Sequence, residues 1–182
     1  GWVDGWLGQV LPADLYLRTS RNYASGHLDE ALQARIVATP GVREVRFIRQ
    51  DSLRLASGQP PMVLIARPLA ADGRGLPLVG GARPGGDAPA VWISEPVQDL
   101  LGWQPGRRVV LPLAGRPVPL RVAGVWRDYA RQSGAVLIDL QDYRRLTGDR
   151  LANDAAVFVD PPAAATRVAA ALLATAPPGM LE

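Results

Sequence analysis

Cysteine and lysine are absent from the 182-residue sequence, and histidine occurs once, at His27. Without cysteine the chain has no disulfide, no thiolate nucleophile and no sulfur ligand for a metal. A single histidine excludes a two-histidine metal site, and no Gly-x-Ser-x-Gly elbow is present. The sequence therefore lacks the usual signatures of thiol enzymes, histidine-rich metalloenzymes and α/β-hydrolases.

Long apolar runs are missing as well, since none reaches the roughly 18 residues that a membrane-spanning helix needs. The longest candidate, residues 161–177, is rich in alanine, bounded by prolines and interrupted by Arg167, which predicts a helix outside the bilayer. The chain starts at Gly1 and stops shortly after a Pro-Pro-Gly turn. We expect it to be a segment of a longer protein, cut out between two membrane spans.

The charge pattern does not favour nucleic-acid binding. All 20 basic residues are arginine, and they are scattered among 17 acidic residues to give a net charge of +3. A phosphate-binding surface requires basic residues concentrated in one stripe. The glycine pairs at residues 80–81 and 85–86 have no lysine beside them, so they make a poor phosphate cradle. We predict no catalytic residue, no cofactor and no metal.

The first part of the chain reads as strand, helix, strand, strand. Residues 14–18 alternate as a short strand, and Leu28, Leu32 and Ile36 then give one face of an amphipathic helix. Residues 42–49 predict a strand with Val45 and Phe47 facing inward. Residues 62–66 are continuously apolar, as in a strand covered on both faces.

A similar unit closes the chain. Residues 155–159 predict a strand, and Asp160 is placed to cap a helix that begins with two prolines. Met180 and Leu181 predict the start of one more strand. The sequence therefore predicts an α+β fold with a split βαβ lobe of the ferredoxin-like kind, in which both helices cover one face of the sheet.

Between these units lies a β-rich stretch. Ser94 is placed to cap a short helix that ends at Gly102, and a hairpin follows. Residues 135–139 predict a strand whose last residue, Asp139, caps another helix. We predict one lobe from residues 1–69 and 134–182, a connection rich in glycine and proline at 70–89, and an inserted β-rich lobe at 90–133.

The stretches 94–106 and 118–129, and more weakly 14–18, resemble the extracytoplasmic domain of FtsX/MacB-type ABC transporter permeases. The resemblance implies a porter-type split βαβ lobe interrupted by a β-rich lobe, on the periplasmic side of the bacterial inner membrane. It implies a non-catalytic domain that couples ATP-driven motion to export of a lipid, lipoprotein, hydrophobic molecule or peptide, or to a periplasmic partner. The ATPase would be a separate cytoplasmic subunit, and the permease would act as a dimer or pseudo-dimer.

An arginine and aromatic cluster follows the hairpin. It can bind acidic lipid headgroups, a peptide or a partner protein. The alternative is a solvated hairpin end with ordinary ion pairs, for example between Arg127 and Asp128. The predicted interface consists of Trp103, Arg121, Trp126, Arg127, Tyr129 and Arg131.

The first residues offer a second candidate surface. Trp2, Trp6 and Leu7 would lie close to the membrane, where an indole ring is favoured. Equally, they can form a helical stripe that packs on the domain itself.

Two other functions stay open. One is a stand-alone module that binds a ligand or a partner outside the cytoplasm. The other is a hydrolase with an unrecognised pair of carboxylates, which would have to converge in a cleft.

Overall fold

The computed structural model describes residues 13–20, 26–55, 58–80, 86–128 and 133–182. The chain forms two compact units: Gly1–Arg49 with Arg150–Glu182, and Gln50–Asp149. In these described ranges, no helix has both the length and the apolar character needed to cross a bilayer.

The regular elements are named in chain order. The strands are β1 (Leu15–Arg18), β2 (Val42–Leu53), β3 (Met62–Arg67), β4 (Leu78–Gly80), β5 (Ala90–Ser94), β6 (Arg108–Leu113), β7 (Arg116–Trp126), β8 (Ala135–Asp139) and β9 (Asp154–Val159). The helices are α1 (Glu30–Val37), α2 (Glu95–Leu101), α3 (Leu140–Thr147) and α4 (Ala165–Leu173).

The first unit is built on β1, β9 and the first part of β2. Strand β9 lies in the middle and runs antiparallel to both neighbours, so that Ala155 opposes Leu17 on one side and Phe47 on the other. Leu181 bridges Thr19 on the far side of β1. This order, with β1 and β2 parallel but not adjacent, confirms the predicted split βαβ arrangement.

Both helices of this unit cover the same face of its sheet. Leu32 and Ile36 of α1 and Val168 and Leu172 of α4 join one buried cluster with Val157 of β9. Helix α1 begins beyond an unpredicted cap, where the Asp29 carboxylate accepts a hydrogen bond from the Leu32 N–H at 2.8 Å. The spacing of apolar residues therefore predicted the buried face of α1 and the burial of Val168 and Leu172 in α4, whereas Leu173, which the sequence assigned to the same stripe, is 46% exposed.

Asp160 does not cap a helix, contrary to the sequence prediction. Pro161 is extended, with φ −75° and ψ 154°, and residues Pro162–Ala164 form a 3₁₀ turn before α4 begins at Ala165. A residue that precedes a proline is pushed out of the helical region, so Pro161 cannot start a helix before Pro162. The Asp160 N–H instead donates to the Gly41 carbonyl at 3.0 Å.

The strands of the second unit pair in both parallel and antiparallel directions. Strand β3 pairs parallel with β8, β8 antiparallel with β5, and β5 parallel with β7. The other side of β7 pairs with β6 along its first half and with β4 at its end. The β6–β7 turn has positive φ at Ala114 (49°) and Gly115 (79°), as a two-residue type I′ hairpin requires.

The two predicted caps of this unit differ in outcome. Asp139 caps α3 as predicted, since its Oδ2 accepts from the N–H groups of Gln141 and Asp142 at 3.2 and 3.3 Å. Ser94 occupies the N-cap position of α2, but its side chain makes no capping hydrogen bond. Its buried Oγ instead accepts from the Ala135 N–H at 2.9 Å. A buried N–H without a partner is costly, which explains this use of the hydroxyl.

The boundaries between the two units differ from those predicted between the two lobes. Strands β3 and β8, which the sequence assigned to the first lobe, pair with each other over five residue pairs, and β8 continues the ladder to β5. The hydrogen-bonded ladder therefore holds β3 and β8 together in the second unit. The segment predicted as a connection contributes β4 to the same sheet, where Leu78 opposes Trp126.

Candidate functional site

The side chain of Trp126 is buried. It is 1% exposed at the end of β7, with Ser94 of β5 opposite it on one side and Leu78 of β4 on the other. All residues from Val122 to Trp126 are buried, because this half of β7 is flanked by a strand on each edge and covered on both faces. The prediction that Trp126 forms part of an exposed interface is wrong.

Arg127, the next residue, is tied to the start of α2. Its Nε donates to Glu95 Oε1 at 2.9 Å, and its backbone N–H donates to the Pro77 carbonyl at 3.0 Å. The structure therefore gives Arg127 an ionic partner, Glu95, that the sequence did not suggest; the sequence suggested the neighbouring Asp128. Because both side chains are well exposed, the pair contributes at most about 1 kcal/mol to stability.

Trp103 and Arg121 are separated in sequence from the Arg127–Glu95 ion pair. Trp103 follows the end of α2, is half-buried, and its carbonyl accepts from Gln98 Nε2 at 3.2 Å. Arg121 is half-buried in β7, and its stem lies so close to Gly86 that a Cβ added there would be 2.7 Å from Arg121 Cδ. Arg121 and Trp126 are five residues apart in one strand, which places their Cα atoms roughly 15 Å apart.

The remaining predicted site residues lie outside the described part of the chain. They are Trp2, Trp6, Leu7, Tyr129 and Arg131.

A groove in the first unit was not predicted. It has a volume of about 470 Å³ and is lined by β1 together with Asp14, Asp154 and Glu182. Asp154 opposes Arg18 in the strand register, and Arg18 Nε donates to Glu182 Oε1 at 3.0 Å. Arg18 is therefore flanked by two acidic residues, Asp154 opposite it on β9 and Glu182, which its side chain contacts.

Asp14 and Glu182 lie too far apart along β1 to form a glycosidase pair. Asp14 accepts from the Val159 N–H at 2.7 Å, and it lies four residues before Arg18, or about 13 Å along β1. Glycosidase carboxylates are about 5 to 9.5 Å apart. Glu182 is bonded to Arg18. Within the described residues, moreover, no group of three or more histidine, cysteine or acidic side chains could hold a metal ion.

Phe158 forms a second unpredicted cluster on β9. The guanidinium carbons of Arg43 and Arg46 each lie 5.3 Å from its ring centroid, and Glu44 accepts from Arg46 Nε at 3.1 Å. Alternation along β9, with Val157 in the core and Phe158 facing the other way, was the sequence signal that could have indicated this cluster.

The side-chain carboxylate of Asp72 has a lowered pKa. The backbone N–H of Arg74 donates to its Oδ1 at 3.1 Å, and this lowers the pKa of Asp72 below its ordinary value. The Arg74 guanidinium acts in the same direction, with Nε also 3.1 Å from Oδ1. The pair is exposed and stabilises the turn that precedes β4.

The fold has known counterparts among solved structures. The periplasmic region of MacB from Actinobacillus actinomycetemcomitans superposes with a TM-score of 0.60 and 14% identity, over 92% of this chain and 86% of that chain. The extracellular domain of the noncanonical ABC-type transporter YknZ from Gram-positive bacteria gives 0.57 and 15%, over 85% and 87%. This chain has the fold of the extracytoplasmic domains of MacB-type permeases.

No protein-family model and no curated protein sequence matches the chain. At 14–15% identity the likeness to MacB and YknZ concerns the fold. Roles for Arg18, Phe158, Trp103 or Arg127 must therefore be argued from the geometry of this chain.

Proposed function

We propose that this chain is the non-catalytic, extracytoplasmic domain of an ABC transporter permease subunit. The observation that carries the proposal is the likeness to the MacB periplasmic region over 92% of the chain, which extends across both units. The order of the motifs at residues 94–106 and 118–129 supports the same function.

In this role the domain transmits motion. The chain passes between the two units twice, within β2 at Arg49–Gln50 and after α3 at Asp149–Arg150. Domains connected in this way can rotate about a few residues at the crossings. A cytoplasmic ATPase subunit would drive the motion through membrane spans of a dimeric or pseudo-dimeric permease. The motion would move a lipid, lipoprotein, hydrophobic molecule or peptide, or act on a periplasmic protein.

The location is tested by labelling in intact cells. Because the chain has no cysteine, a single Val37→Cys substitution at the 55% exposed end of α1 introduces one reactive thiol into the domain. We expect a membrane-impermeant maleimide to label this thiol from outside the cytoplasmic membrane, in cells whose outer envelope has been made permeable.

The matched control is Ala155→Cys, a fully buried position of the same unit, which should react only after denaturation. Labelling of Val37→Cys only after the cytoplasmic membrane is broken would contradict the proposed location. A parent gene that encodes no apolar spans of about 20 residues on either side of the domain would favour a stand-alone binding module instead.

A further inference from the structure

The β6–β7 hairpin and the residue before it carry three exposed arginines. Between Asp99 and Asp128 the sequence contains no carboxylate. Arg107, Arg108 and Arg116 are exposed and, among the residues that the structure describes, form no ion pair. The arginines of this stretch are Arg107, Arg108, Arg116, Arg121 and Arg127.

Two of these arginines oppose each other. Arg108 of β6 is the cross-strand partner of Arg121 of β7, and directly opposed side chains have Cβ atoms only about 4.5 to 5.5 Å apart. An anionic group bound beside the exposed Arg108 would be attracted by its charge.

The same hairpin presents a strand edge. The Arg121 N–H donates to the Pro89 carbonyl at 2.9 Å, away from β6, and Pro119 has no N–H to donate. In β6, Val109 and Leu111 therefore form the hydrogen bonds to β7. The backbone N–H and C=O groups of Arg108 and Val110 point away from β7. In the described part of the chain, no strand pairs with this outer edge of β6.

The outer edge also has an apolar centre. Val110 is 60% exposed, whereas its neighbours Val109 and Leu111 are buried. Pro112 follows two residues later without an N–H, so an added strand can pair with only a few residues.

We propose that the outer edge of β6 binds an extended, acidic segment of a protein partner as an added strand. The backbone of Arg108 and Val110 supplies the hydrogen bonds, Val110 the apolar contact, and the arginines attract the carboxylates. A lipid headgroup makes no use of a strand edge. A second copy of the chain is disfavoured because two β6 edges would bring their arginines together. The proposal does not depend on the transport function.

Fluorescence polarisation tests the proposal on the whole chain. The probe is a fluorescein-labelled peptide of alternating glutamate and valine, roughly eight residues long. We expect binding that weakens with added salt, because exposed charges are screened. The same peptide with glutamine in place of glutamate should bind more weakly. An N-methylated version, which cannot form the ladder, should not bind.

Variants of the chain separate charge from strand addition. Arg108→Glu should weaken peptide binding about tenfold or more. Val110→Pro should abolish it with an unchanged circular dichroism spectrum, because edge positions tolerate proline. The matched control is Arg54→Glu, the same charge change at an exposed arginine of the same unit, and it should bind like the unaltered chain.

Four results would overturn the proposal. The first is that the unaltered chain does not bind the peptide. The second is that Val110→Pro binds the peptide fully, or that the unaltered chain fully binds the N-methylated peptide. The third is that Arg54→Glu and Arg108→Glu lose peptide affinity equally. The fourth is binding to vesicles of phosphatidylglycerol and phosphatidylcholine that depends on Arg108 while the peptide does not bind.

Discussion

Trp126 and Trp103 belong to the same unit but lie in different surroundings. Trp126 is enclosed between β4 and β5, whereas Trp103 follows the end of α2 and is half-buried. A large aromatic side chain contributes to stability mainly through the area it removes from water. Trp126 should therefore stabilise the fold more than Trp103, which keeps more of its surface exposed to solvent.

Truncation of each tryptophan to alanine tests this difference. Trp126→Ala should lower the free energy of unfolding by about 3 to 5 kcal/mol, because it opens a cavity in the core. The control Trp103→Ala should cost roughly 1 kcal/mol. Guanidinium denaturation measures both. Equal losses in the two variants would show that Trp126 is not the core residue described here.

At the scale of elements, Ser94 connects β5, α2 and β8. It sits where a helix cap is expected, yet its hydroxyl accepts from the Ala135 N–H, 41 residues later in the sequence. The helix is stopped in the predicted way at Gly102, which has φ 68°. The hydroxyl of Ser94 therefore stabilises the sheet more than the helix.

Ser94→Ala separates these two roles. Because the variant leaves a buried N–H without a partner, we expect a loss of about 1 to 3 kcal/mol in unfolding free energy. Hydrogen exchange should become faster at the Ala135 amide and stay unchanged in the first turn of α2. The control Ser52→Ala, at an exposed position, should change stability by less than about 0.5 kcal/mol. Faster exchange confined to α2 would contradict the assignment.

Features decided by neighbouring residues were predictable from the sequence. The Asp139 cap, the buried face of α1 and the end of α2 all depend on residues a few positions apart. The burial of Trp126 and the Phe158–Arg43–Arg46 cluster depend on strands far away in the sequence. Local alternation indicates which way Phe158 faces, but it does not indicate which strand lies beside it, and for the same reason β3 and β8 were assigned to the other lobe.

At the scale of the whole molecule, the chain consists of two units, and each contains both strands and helices. The split βαβ unit is assembled from both ends of the chain, and the second unit is inserted between them. An inserted unit is joined to its host by two crossings, here within β2 at Arg49–Gln50 and after α3 at Asp149–Arg150. The proposed transmission of ATP-driven motion requires one unit to move relative to the other at these crossings.

The most direct test of that account is a distance measurement in the complete permease, reconstituted with its ATPase. Spin labels are attached at Val37→Cys in the first unit and Leu100→Cys in the second, both at exposed positions. We predict that the label–label distance distribution shifts between the nucleotide-free and the ATP-bound states. A distribution that stays the same in both states, while the ATPase remains active, would contradict the account.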